Sequence, residues 1–141
     1  MRALTRTTAT TVAVGALSVL AALPAMAAGP TVSVRSAGLV ARGAAVNATV
    51  IVTCDPYTDY WGQAMTSTPV TVTINEAVRG GLITSATGNG DAVCDSLPHK
   101  VSVLVVPATY KFTKGPALIS ATATLDSGIT PAQFVGTVKI T

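Results

Sequence analysis

Charged residues, aromatic residues and histidines are all scarce in this chain of 141 residues. Charged side chains make up 11% of the sequence, aromatic ones 4%, and His99 is the single histidine. So little charge argues against a disordered charged tail, and the length is that of one domain rather than of a multidomain enzyme. Beyond residue 30 no apolar run is long enough to cross a bilayer, which argues against a transmembrane channel.

Residues 1–27 have the pattern of a secretory signal peptide. Arg2 and Arg6 give a positive start, residues 11–23 form a weakly polar to apolar run, and Ala25-Met26-Ala27 is a small-x-small cleavage pattern. The run is too short to span a bilayer of about 30 Å as a helix. We therefore expect a secreted, extracellular protein with a mature domain at residues 28–141 and no membrane insertion once the signal is removed.

Removing the predicted signal peptide brings the net charge close to zero. The whole chain carries 9 Lys and Arg against 6 Asp and Glu, but two of the arginines belong to the signal peptide. Residues 28–141 carry seven cationic against six anionic side chains, a net charge of +1. They contain no Lys/Arg stripe of the kind that phosphate backbones need, so nucleic acid is not an expected partner.

The mature part alternates between apolar and polar residues, which is the pattern of half-buried β-strands. Its richness in Val and Thr also favours strands over helices. No stripe at helical spacing is present. The alternating runs are residues 46–54, 70–75, 101–105, 119–125 and 134–140, with shorter pieces at 32–35 and 82–86.

Turn-forming residues separate these runs, among them Arg79-Gly80-Gly81 and Gly88-Asn89-Gly90-Asp91, which we interpret as turns. About seven short strands, each with one apolar face, predict an all-β domain of two antiparallel sheets packed face to face. A small closed barrel is the main alternative.

Cys54 and Cys94 are the two cysteines of the chain, and in an exported domain of this size they predict one disulfide. Cys54 ends the second strand, and Cys94 precedes the strand at residues 100–106. If these are neighbouring antiparallel strands of an immunoglobulin-like sandwich, the bridge lies at one rim. Closing a loop of about 40 residues contributes roughly 3–4 kcal/mol. The alternative is two free thiols or a metal pair, although a lone pair of cysteines makes a poor zinc site.

Three segments carry a resemblance to a known group of proteins. The segments Val50-Ile51-Val52-Thr53-Cys54-Asp55, Cys94-Asp95-Ser96-Leu97-Pro98-His99 and Phe112-Thr113-Lys114-Gly115-Pro116-Ala117 resemble small exported actinobacterial proteins. Those proteins have an immunoglobulin-like sandwich and mostly no assigned activity. The resemblance implies an immunoglobulin-like antiparallel β-sandwich of about seven strands with one disulfide.

The chain departs from two better-known sandwich families. In antibody domains the second cysteine lies in strand F and a tryptophan lies on strand C. Here Cys94 precedes the strand at residues 100–106, which corresponds to strand E, and Trp61 lies in a loop. The chain is also loosely similar in architecture to the neocarzinostatin family of chromoprotein carriers. Those carriers usually have two disulfides, whereas this chain allows one.

The loop at residues 55–68 holds half of the six aromatic residues of the chain, namely Tyr57, Tyr60 and Trp61. Exposed, these rings form a stacking platform for sugar rings or for a partner's apolar anchor. Alternatively, they fold back over the rim of the sandwich as a lid beside the disulfide. The loop is long enough to be functional, and we take Tyr57, Tyr60 and Trp61 as candidate binding residues.

Four aspartates lie near the expected disulfide in sequence: Asp55 and Asp59 follow Cys54, and Asp91 and Asp95 flank Cys94. Together with Asn89 they offer oxygen ligands of the type that Ca²⁺ takes. Aspartate beside glycine or asparagine is also ordinary turn chemistry. The spacing matches no calcium loop, so we predict solvated turns, no metal site and no cofactor.

Catalytic signals are weak throughout the sequence. His99 would have to serve in any Ser–His or Cys–His arrangement, and no nucleophile motif or phosphate loop accompanies it. We therefore predict that the protein is not an enzyme but a secreted binding or structural module. Its expected partner is an unidentified extracellular protein or polysaccharide, contacted through loop 55–68. The alternative is a carrier of a small apolar ligand in a cleft of the sandwich.

Overall fold

The computed structural model describes residues 29–126 and 128–141, and the predicted signal peptide lies outside them. This part of the chain is nearly all β, with one 3₁₀ turn at Ala41–Gly43. Seven long strands and two short ones follow one another along the chain. They are β1 (Thr31–Val40), β2 (Ala45–Thr53), β3 (Tyr57–Thr58), β4 (Ala64–Met65), β5 (Ser67–Val78), β6 (Leu82–Val93), β7 (Pro98–Val105), β8 (Gly115–Ala123) and β9 (Ala132–Ile140).

The seven long strands form an immunoglobulin-like antiparallel β-sandwich, as the sequence predicts. One layer has the order β1-β2-β7 and the other the order β6-β5-β8-β9. A single parallel pairing, Ala37 with Ile140, joins β1 to β9, so the two layers are parts of one folded sheet. At the opposite edge β6 packs near β7 without any backbone ladder between these two described strands, so the sheet is not a closed barrel.

The core lies between the two layers and follows the alternation seen in the sequence. On β2 every second side chain faces inward, and on β5 and β8 the same period holds. The inner positions carry Val, Ile and Ala because these residues fill a narrow space in few rotamers. Val50, Val72 and Ile119 are fully buried.

Strand β6 differs from the sequence prediction, which placed a turn at Gly88–Asp91. The whole segment Leu82–Val93 is one extended strand paired with β5. Gly88 and Gly90 face β7 across the core. A Cβ at Gly88 would collide with the Leu104 carbonyl oxygen, and one at Gly90 would lie 3.0 Å from Val101 Cγ1. These glycines therefore serve close packing between the layers rather than a turn.

The disulfide joins Cys54 to Cys94 at one end of the sandwich, which we call the disulfide end, and this confirms the predicted rim position. Thr53 at the end of β2 pairs with Pro98 at the start of β7, so the two cysteines flank neighbouring strands. The Ser96 amide donates to the Cys54 carbonyl at 2.9 Å. The bridge thus ties together loops that the β2–β7 ladder already brings close.

The segment between β7 and β8 closes the other end, which we call the far end. Phe112 is buried, and its amide donates to the Gly43 carbonyl at 3.0 Å. Glu76 is buried at the end of β5 and accepts hydrogen bonds from the Thr113 amide and hydroxyl. The buried carboxylate is therefore satisfied by this segment, as a buried charge requires.

No helix in the described part of the chain has the length and apolar character needed to span a membrane.

Candidate binding surface at the disulfide end

The loop after the disulfide is a short hairpin rather than an irregular connection. Strand β3 pairs with β4, and residues 59–63 between them form a tight turn, which we call the aromatic turn. Asp59 Oδ1 accepts hydrogen bonds from the Trp61 amide at 2.9 Å and the Gln63 amide at 2.8 Å. Gly62 has a φ of 80°, a left-handed conformation that favours glycine. The turn is thus held by its own backbone and by Asp59.

The three aromatic residues of the loop separate into two groups. Tyr57 is half-buried, packs against the core, and its hydroxyl donates to the Ser67 carbonyl at 3.2 Å. Tyr60 and Trp61 are 89% and 71% exposed. Tyr57 therefore folds back over the rim as a lid, which is one of the two predicted arrangements. Tyr60 and Trp61 are exposed, as the predicted stacking platform requires.

Tyr60 and Trp61 form one side of a shallow depression. Their ring centroids lie 5.5 Å apart with the planes at 86°, an edge-to-face arrangement. Together with Asp59 and Asp126 they line a space of about 310 Å³. Its described lining thus has two aromatic rings and two carboxylates, a combination that suits an aromatic or cationic group of a partner.

Asp126 belongs to this surface although nothing in the sequence indicates it. It follows β8 and comes 65 positions after Trp61 along the chain. No motif links the two positions. They meet because the β8–β9 connection and the β3–β4 hairpin both lie at the disulfide end.

A second, smaller depression lies beneath Tyr57. It measures about 40 Å³ and is lined mainly by the segments 29–30 and 55–57 together with Leu125 and Ile129. A pocket for a drug-sized ligand measures about 300–1,000 Å³. This space is therefore too small for the apolar ligand of the carrier hypothesis.

Two of the aspartates near the disulfide have separate structural roles. Asp59 holds the aromatic turn, and Asp95 Oδ1 accepts from the Leu97 amide at 3.0 Å. Asn89 lies on the outer face of β6, where its side-chain oxygen accepts from the Thr71 hydroxyl at 3.0 Å. Within residues 29–126 and 128–141 no three His, Cys, Asp or Glu side chains come together as metal ligands would.

His99 lies beside Asp95, with its Nε2 2.7 Å from Asp95 Oδ1. This hydrogen bond, with a further one from the Leu97 amide, holds the pKa of Asp95 below its ordinary value of 3.8. The histidine thus contacts the turn that leads from the disulfide into β7.

No family model, curated protein or solved structure matches this chain. The disulfide is compatible with an extracellular location, because such bonds persist in oxidising surroundings.

Proposed function

We propose that the chain is a secreted, non-catalytic binding module that contacts an extracellular protein or polysaccharide through the aromatic turn. One observation carries the proposal: Tyr60 and Trp61 are largely exposed on a turn that hydrogen bonds hold in place. The signal-peptide pattern at residues 1–27 and the disulfide support its secretion. The same proposal includes an actinobacterial origin, because the chain resembles small exported actinobacterial proteins.

The two exposed rings of the aromatic turn can supply much of the binding free energy. Covering a ring as large as that of Trp61 contributes about 2–4 kcal/mol through burial of apolar surface. A turn that already holds the ring outward loses little conformational freedom on binding. Tyrosine and tryptophan are also the residues most enriched among the energetic centres of protein interfaces.

The carrier hypothesis is less well supported by the packing of the molecule. The inner faces of the two layers contact each other directly, and Gly88 and Gly90 draw β6 close to β7. An apolar ligand would therefore have to separate the layers.

The test compares wild type with the double variant Tyr60→Ala, Trp61→Ala in a pull-down from cell envelope and culture supernatant. We expect the double variant to keep its melting temperature and to lose about tenfold or more of the retained partner. The control is Val135→Ala, because Val135 is also an exposed apolar residue but lies in the middle of β9, away from both ends. Unfolding of the double variant, or equal retention by all three proteins, would contradict the proposal.

A further inference from the structure

Within residues 29–126 and 128–141, most charged side chains are separated by sign between the two ends of the sandwich. The disulfide end carries five aspartates, and the far end carries five cationic side chains on its turns and strand ends. The acidic set is Asp55, Asp59, Asp91, Asp95 and Asp126, and the basic set is Arg42, Arg79, Lys111, Lys114 and Lys139.

Few charged residues in the described part of the chain depart from this separation. Glu76 is buried near the far end and hydrogen-bonded to Thr113. Arg35 lies in the middle of β1, and Lys100 lies two positions into β7 from the disulfide end. Among the described residues the Asp95–His99 contact is the one ion pair. All members of the two charged sets are exposed except Asp55 and Asp59, which are partly buried.

The distance between the ends lets them act independently. The ten residues of β1 run from the disulfide end to the far end, a length of roughly 30 Å at about 3.3 Å per residue. The Debye length at physiological salt is about 8 Å. The acidic and basic ends therefore do not neutralise each other within one molecule.

Exposed apolar side chains accompany the charges at both ends. Tyr60 and Trp61 lie at the disulfide end. Near the far end, Ile83 and Val106 are largely exposed, and Leu82 and Tyr110 are partly so. Each end thus has apolar side chains beside charges of one sign, a combination typical of a contact surface.

We propose that the aromatic turn of one copy receives the far end of a second copy, so that the protein associates head to tail. This inference rests on the proposed function and identifies its partner as the same chain. Lysine and arginine groups of the far end meet Asp59, Asp126 and the aromatic rings, where both carboxylates and ring faces attract cations. Two acidic ends repel each other, and so do two basic ends.

The same charge pattern determines the form of the assembly. A head-to-tail contact uses two different surfaces, so a dimer still has one free acidic end and one free basic end. Association therefore continues beyond the dimer. An antiparallel side-by-side dimer would also pair opposite charges, but it would leave no free end and would stop at two copies.

The first experiment measures the mass of the purified exported protein by light scattering and sedimentation over a range of concentrations. We expect species larger than dimers at about 0.1 M salt, and their loss at about 1 M, where the Debye length falls from about 10 Å to about 3 Å. A monomer at every concentration, an assembly that stops at the dimer, or association that salt does not weaken would overturn the proposal.

The second experiment changes charged residues at one end at a time. The variant Asp91→Asn, Asp126→Asn weakens the acidic end, and the variant Arg79→Gln, Lys111→Gln weakens the basic end. Neutral replacements keep the two altered ends from attracting each other. Each alone should associate about tenfold or more weakly than wild type. Mixed, they should form a 1:1 complex through their intact ends and grow no further. The control Arg35→Glu changes a cation away from both ends and should associate as wild type does.

The outcomes separate this inference from the proposed function. If the envelope pull-down depends on Tyr60 and Trp61 while the protein stays monomeric, the aromatic turn binds another partner and head-to-tail association is wrong. If the mixed variants form no complex although wild type associates, the contact does not join the two ends and the proposal is also wrong.

Discussion

At the scale of single residues, Asp95 shows how a side chain on the surface stabilises the disulfide end. Its carboxylate accepts from the Leu97 amide and from His99, and these hydrogen bonds favour the ionised form. The pKa of Asp95 is lowered for that reason. A carboxyl group whose pKa is lower in the folded state stabilises the fold only while it is ionised.

The lowered pKa of Asp95 determines how its contribution to stability changes with pH. The contribution of Asp95 is fully present above its unfolded-state pKa, near 3.8, and is lost as the pH falls through the lower folded-state value. We expect Asp95→Asn to have a lower melting temperature than wild type near neutral pH, with the two proteins converging in strong acid. Thermal unfolding followed by circular dichroism from neutral pH downward checks this.

A second measurement identifies the cause. In a carboxyl titration by NMR, Asp95 of wild type should titrate below 3.8, and in His99→Ala it should move back toward that value, because His99 is the largest cause of the shift. Titration of wild-type Asp95 at or above 3.8 would contradict the assignment.

At the scale of elements, the close approach of β6 and β7 depends on residues without side chains. Alternation of apolar and polar residues indicates which face of a strand is buried, but not how close the facing layer comes. The inner surface of β6 changes from Ala86 to Gly88 and Gly90 where Val101 and Val103 of β7 face it. In the sequence alone these glycines predict a turn, because glycine beside asparagine and aspartate is common in turns.

We expect Gly88→Ala to lower the free energy of unfolding by about 1–3 kcal/mol, because the added Cβ collides with the Leu104 carbonyl and presses on Val103. Urea unfolding measures the loss. The matched control is Gly38→Ala on β1, where no atom lies within 4 Å of the new Cβ. That variant should lie within about 0.5 kcal/mol of wild type or be slightly more stable. Equal stabilities of the two variants would be inconsistent with the packing described.

At the scale of the whole molecule, the disulfide limits the freedom of the unfolded chain. It spans 40 positions, between β2 and β7. In the chain-entropy model such a loop contributes roughly 3–4 kcal/mol.

We therefore expect the double variant Cys54→Ala, Cys94→Ala to lose about 3–4 kcal/mol of stability while keeping its β-rich circular dichroism spectrum. Reduction of wild type should lower its free energy of unfolding by a similar amount, which is seen as a lower melting temperature. Reduction of the double variant should have no effect. A melting temperature of wild type that reductant leaves unchanged would show that the bridge contributes nothing.

The fold was largely predictable because its main signals are local. Apolar and polar residues alternate with a period of two along β2, β5, β7, β8 and β9, and this pattern is visible in adjacent residues. The two cysteines allow a single pairing. The aromatic surface was predictable only in part. Clustering of Tyr57, Tyr60 and Trp61 marked the loop, but which ring is buried depends on the β3–β4 hairpin and on Ser67.

The sequence by itself determined the all-β class, the disulfide partners and the loop that carries the aromatic residues, since each depends on neighbouring residues or on simple counting. Tertiary structure alone decided that Asp126 joins Tyr60 and Trp61, and that acidic and basic side chains collect at opposite ends. These groupings depend on strand order and direction. Residues far apart in the chain meet wherever the ladders place their loops, and no local pattern records that position.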